Sequence, residues 1–248
     1  MALVIGVVSQ KGGVGKSTCA RLIAREYAHA GWDVKIADLD VSQGTSFDWH
    51  VRRLQQQLQP SVAVERFGTV EQALKARTHY DLLVMDGAPH STAATLKIVE
   101  PSTLAVLPTG LSLEDLKPQV LLAHELVKKG IDKRKLVFAL CRVGDSDALH
   151  QSARDYITQA GYSVLSGSLP EKLAYLKAAE EGRALTETRF PTLNERAAQM
   201  VQGVIDLATK LEEGWAVSWR QKSLPPRDSA KRPPCWSRRP RTLTRHRR

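Results

Sequence analysis

Cysteine is scarce. Cys19, Cys141 and Cys235 are the only three, far apart in the sequence and without a C-x-x-C spacing, so neither a zinc site nor a redox pair is expected and all three read as reduced thiols. Long apolar runs are missing as well. No segment approaches the roughly 18 apolar residues of a membrane-spanning helix, and the N-terminus enters the strand-like Ala2–Val8 with no basic leader or cleavage site. A soluble, cytoplasmic protein is expected. No internal repeat occurs, and the only low-complexity features are Gln55-Gln56-Gln57 and the C-terminal tail.

Acidic residues are nearly absent from that tail. Residues 220–248 hold eleven of the 36 Lys and Arg but one acid, Asp228, so the body up to residue 219 carries 25 charges of each sign. The tail also holds Pro225, Pro226, Pro233, Pro234 and Pro240, a composition that resists helix and cannot build a core. The expected organisation is a folded domain over 1–219 and a basic, disordered tail over 220–248.

What is present is 42% apolar content in 248 residues, enough for one sizeable core. Short β-branched runs at 3–8, 33–37, 80–85, 104–107, 135–141 and 163–165 predict strands. Between them, apolar spacings of three and four predict helices over 17–30, 91–99, 113–129, 148–160 and 193–211, with Gly31, Gly130 and Gly161 as stops. The alternation implies an α/β fold, a mostly parallel sheet with helices on both faces.

One string carries chemistry. Gln10-Lys11-Gly12-Gly13-Val14-Gly15-Lys16-Ser17-Thr18 follows an apolar strand and opens a helix, the context in which a glycine-rich segment becomes a phosphate loop. The amides of Gly12, Gly13, Val14 and Gly15 can approach phosphate oxygens at the positive end of the helix. Lys16 supplies a point charge to the β- and γ-phosphates, the Ser17 hydroxyl a ligand to Mg2+, and Thr18 a reach to the α-phosphate. The common pattern has glycine where this chain has Gln10, and Lys11 is additional. A second lysine there cannot easily reach the phosphates that Lys16 holds, so the nucleotide of a facing subunit is its more economical target.

Lys11 to Thr18 resembles the deviant Walker A box of the ParA/MinD ATPases, whose early lysine contacts ATP across a sandwich dimer. Two acidic motifs extend the resemblance. Asp38-Leu39-Asp40-Val41-Ser42-Gln43-Gly44 is similar to the family's D-x-D-P-Q-G, departing at Val41 and Ser42. A carboxylate at that strand end can orient the attacking water or hold the metal's water shell, the role expected of Asp40, while Asp38 is either structural or a supporting carboxylate. Leu82 to Pro89 resembles a Walker B strand, with Asp86 binding Mg2+ through water. Leu107-Pro108-Thr109-Gly110 with Asp115, and Leu169-Pro170-Glu171 with Ala174, Tyr175 and Gly182, are softer matches.

The resemblance implies a P-loop fold over about residues 1–212 and an ATPase with ATP and Mg2+ as cofactors. Catalytic roles fall to Lys11, Lys16 and Asp40, and metal contacts to Ser17, Asp40 and Asp86. It further implies an ATP-state homodimer that binds nonspecific DNA, a ParB-like activating protein, and a nucleoid-associated location. DNA contacts are expected from the tail or from Arg183, Arg189 and Arg196. Because the sequence begins at the first strand, the small partition type without an N-terminal helix-turn-helix is expected. The alternative is a MinD-like or ParA-like positioning ATPase for a protein cluster or membrane-associated complex. Membrane insertion of the tail is not expected, since five prolines interrupt any helix and Trp215, Trp219 and Trp236 lack a repeating apolar face. Arg142 is a candidate for approaching the base.

Overall fold

The computed structural model describes residues 2–89 and 92–223. Its strands are β1 (Leu3–Val7), β2 (Val34–Asp38), β3 (Ala63–Arg66), β4 (Leu82–Asp86), β5 (Leu104–Thr109), β6 (Leu136–Val143) and β7 (Ser163–Pro170). Its helices are α1 (Lys16–His29), α2 (Thr45–Gln55), α3 (Val70–Ala76), α4 (Thr92–Val99), α5 (Leu113–Lys128), α6 (Asp147–Gln159), α7 (Leu173–Glu180) and α8 (Pro191–Ser223). The expected parallel sheet is present, with seven strands in the order β3-β2-β4-β1-β5-β6-β7 and every pairing parallel.

Both faces of the sheet are apolar because both are covered. Along β1, Leu3, Ile5 and Val7 point into a core shared with α1, Trp49 of α2, Tyr175 of α7 and Met200 and Val204 of α8. Val4 and Val8 point into the opposite core, with Ala73 of α3, Ile98 of α4, Leu122 of α5 and Ile157 of α6. Truncating a fully buried residue such as Ile5 to Ala is expected to cost about 2–5 kcal/mol.

The register positions the site. Val7 lies opposite Asp86, and Asp86 opposite Asp38, so three neighbouring strands end at one level. The chain leaves β1 between β4 and β5, where successive connections run in opposite directions along the sheet, which is where open α/β sheets bind ligands.

Several elements depart from the sequence reading. β3, α2, α3 and α7 were not expected, β7 runs on to Pro170, and α8 starts at Pro191. α8 also continues to Ser223, past the boundary placed at residue 219. The rest of the tail, with Trp236 and Cys235, lies outside the described residues. No helix among the described residues is long and apolar enough to cross a membrane.

Candidate functional site

The glycine-rich segment forms a loop wrapped over the N-terminus of α1. Gly13 and Gly15 have φ of 74° and 102°, a region costly to other residues. A Cβ on Gly15 would also meet the Cβ of Cys141 at 3.2 Å. Gly12 is different, since its φ is not positive and a Cβ there would meet nothing within 4 Å. Lys16 Nζ donates to the Lys11 carbonyl at 3.1 Å, so the ammonium lies back across its own loop. Burial lowers the Lys16 pKa, and the charges of Asp86 and Asp40 oppose that shift.

The loop's entry is held by buried polar groups. Ser9 Oγ donates to Gln119 Oε1 at 2.8 Å, Gln119 Nε2 donates to the Val8 carbonyl at 2.9 Å, and the Lys11 amide donates to Ser9 Oγ at 3.2 Å. Lys11 itself is paired within its own chain, its ammonium meeting Asp115 in the first turn of α5. That partner explains the Asp115 that the sequence had only loosely associated with the site.

The three carboxylates differ once their hydrogen bonds are counted. Asp38 is fully buried. Its Oδ1 accepts from the Asp40 amide at 3.2 Å, and its Oδ2 from the amides of Ser46 and Phe47 at 3.1 and 3.0 Å. It therefore caps α2 from a distance and is structural. Burial raises its pKa while those amide bonds hold it down. Asp40 accepts at Oδ1 from Ser42 Oγ at 2.6 Å and from the Gln43 amide at 3.2 Å, which turns the Val41–Gly44 segment around it.

Asp86 accepts at Oδ2 from Ser46 Oγ at 2.7 Å, while its Oδ1 is buried without a partner among the described residues. Burial pushes its pKa up to about 6, with the Ser46 hydroxyl and, more loosely, Ser17 pulling it back. An orphaned carboxylate oxygen of this kind beside the Ser17 hydroxyl suits a hydrated divalent cation, so the residues present fit Mg2+.

Lys16, Ser17, Thr18 and Asp40 line a cavity of about 360 Å³ whose walls also include Leu169, Leu176 and Leu185. Arg142 lines it too. Its φ of 54° is unusual for a residue with a Cβ. Its Nη1 donates to the Gly13 carbonyl at 2.9 Å, and Nη2 donates to Glu171 Oε1 at the same distance. The guanidinium thus straps the phosphate loop to the segment after β7.

Sequence reasoning missed Ser46, Arg21 and the polar face of α2. Arg21 is buried one turn beyond the loop, donating from Nε to the Ser17 carbonyl at 2.9 Å and lying 5.9 Å from the Trp49 ring. Burial lowers its pKa to about 10. Arg53, behind Trp49, pairs with Glu187 in a two-pronged contact at 2.7 and 3.0 Å. The only available signal was spacing, since Ser46, Trp49 and Arg53 fall on one helical face. Two of those three are polar, and an apolar periodicity search passes over them. Cys19 and Cys141, distant in sequence, lie with Sγ atoms 3.5 Å apart as free buried thiols. Arg183 and Arg189 line one groove and Arg196 another, so the three arginines do not share one recess.

A parallel sheet with a glycine-rich loop after its central first strand, a lysine within that loop and an orphaned acid on the adjacent strand define a P-loop nucleotide-binding protein. Residues 5–185 match the CobQ/CobB/MinD/ParA nucleotide binding domain, and the chain belongs to that family. No curated protein sequence matches it. Among solved structures it is similar to a Borrelia burgdorferi B31 protein assigned to plasmid partition and bound to AMPPNP, with 16% identity, a TM-score of 0.65, and 83% of this chain and 99% of that one covered. It is similar to McdA from Cyanothece in an ATP complex of an aspartate-to-alanine variant, with 15% identity, a TM-score of 0.64 and coverage of 82% and 96%. It is also similar to the septum site-determining protein MinD of Pyrococcus horikoshii with Mg-ADP, with 17% identity, a TM-score of 0.64 and coverage of 88% and 98%. At these identities the likeness establishes the fold.

Proposed function

We propose that the protein is an ATPase of the partition type, which uses ATP-Mg to close two copies into a dimer that binds DNA without regard to sequence and opens on hydrolysis. The observation that carries this reading is the convergence on one cavity of Gly12, Gly13, Gly15, Lys16, Ser17 and Thr18, with the Asp86 oxygen that lacks a partner among the described residues on the adjacent strand. The nucleotides in the three similar structures, AMPPNP, ATP and Mg-ADP, are of the class such a cavity takes.

Lys16 leaves its loop carbonyl to meet the β- and γ-phosphates, an exchange of one oxygen partner for others of higher charge. Asp86, through water, and the Ser17 hydroxyl would hold Mg2+, which would supply positive charge against that developing on the phosphates. Asp40, anchored by Ser42 and Gln43, orients the attacking water and helps hold the metal's water shell. Lys11 leaves Asp115 to reach the nucleotide of the facing copy. A ParB-like activator speeds hydrolysis, and the basic tail supplies the DNA contact by neutralising phosphates and releasing counterions.

Calorimetry with MgATP tests the cavity. Retention of the protein on nonspecific duplex DNA, measured with and without MgATP over a salt series, tests the rest. ATP-dependent retention that weakens steeply with salt and falls when residues 224–248 are removed supports a nucleoid-associated partition ATPase. Nucleotide binding without DNA retention supports the second reading, a positioning ATPase for a protein cluster or membrane-associated complex, with which the likeness to a septum site-determining protein is equally consistent.

A further inference from the structure

α7 separates two recesses. Tyr175, Leu176 and Ala179 line the nucleotide cavity. The residues between them in sequence turn the other way and form one wall of a groove of about 710 Å³, whose other wall is the segment 183–190 and the first turn of α8. Tyr175 Oη donates to the Leu193 carbonyl at 2.6 Å, tying α7 to that turn. The N-cap residue of α7, Lys172, makes no side-chain cap hydrogen bond.

The groove is apolar and cationic together. Leu173 is 65% exposed on one wall and Phe190 41% exposed on the other, converging on one recess rather than scattered singly over the surface. Most of the charges around them are already matched, Arg183 with Glu181, Lys172 with Asp145, and Glu187 with Arg53 and Arg25. Lys177 and Arg189 are exposed and have no ion pair among the described residues. Arg189 instead lies 4.9 Å over the Phe190 ring.

We propose that this groove is a docking site for a short acidic amphipathic peptide segment of a partner protein. An apolar side chain of the peptide packs between Leu173 and Phe190, and a carboxylate meets Lys177 and Arg189. Duplex DNA is the poorer fit, because phosphates against an apolar recess lose water without a matching set of donors, whereas an amphipathic peptide satisfies both surfaces. Docking at this groove does not require the nucleotide reading. Its coupling to nucleotide does, and rests on α7 serving as a wall of both recesses.

The test is selection of peptides from a random displayed library on the full-length protein, followed by fluorescence anisotropy with the selected peptides. Sequences combining Asp or Glu with Leu or Phe are expected. Their affinity should fall at least tenfold on the Lys177→Glu/Arg189→Glu double variant and on Leu173→Ser, with circular dichroism and MgATP calorimetry unchanged in both. No enrichment, enrichment of basic peptides, or equal binding to the variants overturns the docking site. So does loss of duplex DNA retention in the double variant without any peptide binding, which would assign these cations to nucleic acid. MgATP should shift peptide affinity at least threefold on the wild-type protein. An equal affinity with and without it, where calorimetry shows nucleotide bound, overturns the coupling and leaves the docking site standing.

Discussion

Replacing Asp86 with Asn should make the protein more stable at neutral pH while removing its grip on magnesium nucleotide. Burial lifts the Asp86 pKa from 3.8 to about 6. An acid raised in this way is favoured in its protonated form by folding, so its contribution is whole below pH 3.8 and is lost as the pH rises through 6. Roughly two units correspond to about 3 kcal/mol forgone at neutral pH. Asn carries no charge to desolvate, and its amide oxygen can still accept from Ser46.

Asp86→Asn should therefore exceed the wild type by about 3 kcal/mol at pH 8, by about half that at pH 5, and by less than about 1 kcal/mol near pH 4. In thermal melts of a chain this size the difference at pH 8 is roughly 6–12 °C. MgATP should reverse the order, because nucleotide at a thousandfold excess over its Kd adds about 4.1 kcal/mol to whichever protein binds it. Melts and urea titrations at the three pH values, with and without MgATP, provide the readout. A variant no more stable than wild type at pH 8, or an advantage that does not shrink with acid, refutes the assignment of Asp86 as a buried ionised carboxylate.

Lys16→Ala should abolish the heat of MgATP binding, since no other side chain on the loop supplies a charge at that position. Asp40→Ala should leave binding and ATP-dependent dimerisation intact and stop turnover, measured by phosphate release beside light scattering. Lys11→Ala should bind MgATP yet remain monomeric in the same scattering experiment, and normal dimerisation would remove the cross-subunit role. Arg53→Met should cost about 3 kcal/mol in urea unfolding, because Glu187 keeps only Arg25 as a charged partner in a buried setting.

How much of this was legible in the sequence depends on which physical signal each element left behind. Strands such as β1 and β4, buried on both faces, announce themselves as unbroken apolar runs, and the helix ends at Gly31, Gly130 and Gly161 fall where positive φ demands glycine. β3 is a four-residue edge strand with two exposed charged positions, and α7 buries only Tyr175 and Ala178. Neither has an apolar periodicity long enough to stand out. α2 is lost for another reason, because the side chain that caps it, Asp38, lies seven residues before its first residue, and two of its three buried positions are polar. The same limit governs the site. The phosphate loop is contiguous, so its chemistry can be read in a line. Asp38, Asp40 and Asp86 look alike as acids closing strands, and only the count of hydrogen bonds at each oxygen separates a helix cap from a turn anchor and from an oxygen left open to a cation. That count runs through Ser46, whose amide serves Asp38 and whose hydroxyl serves Asp86. A single residue on an unpredicted helix thus ties two of the three acids together, and of the two Asp86 keeps one oxygen without a hydrogen bond among the described residues.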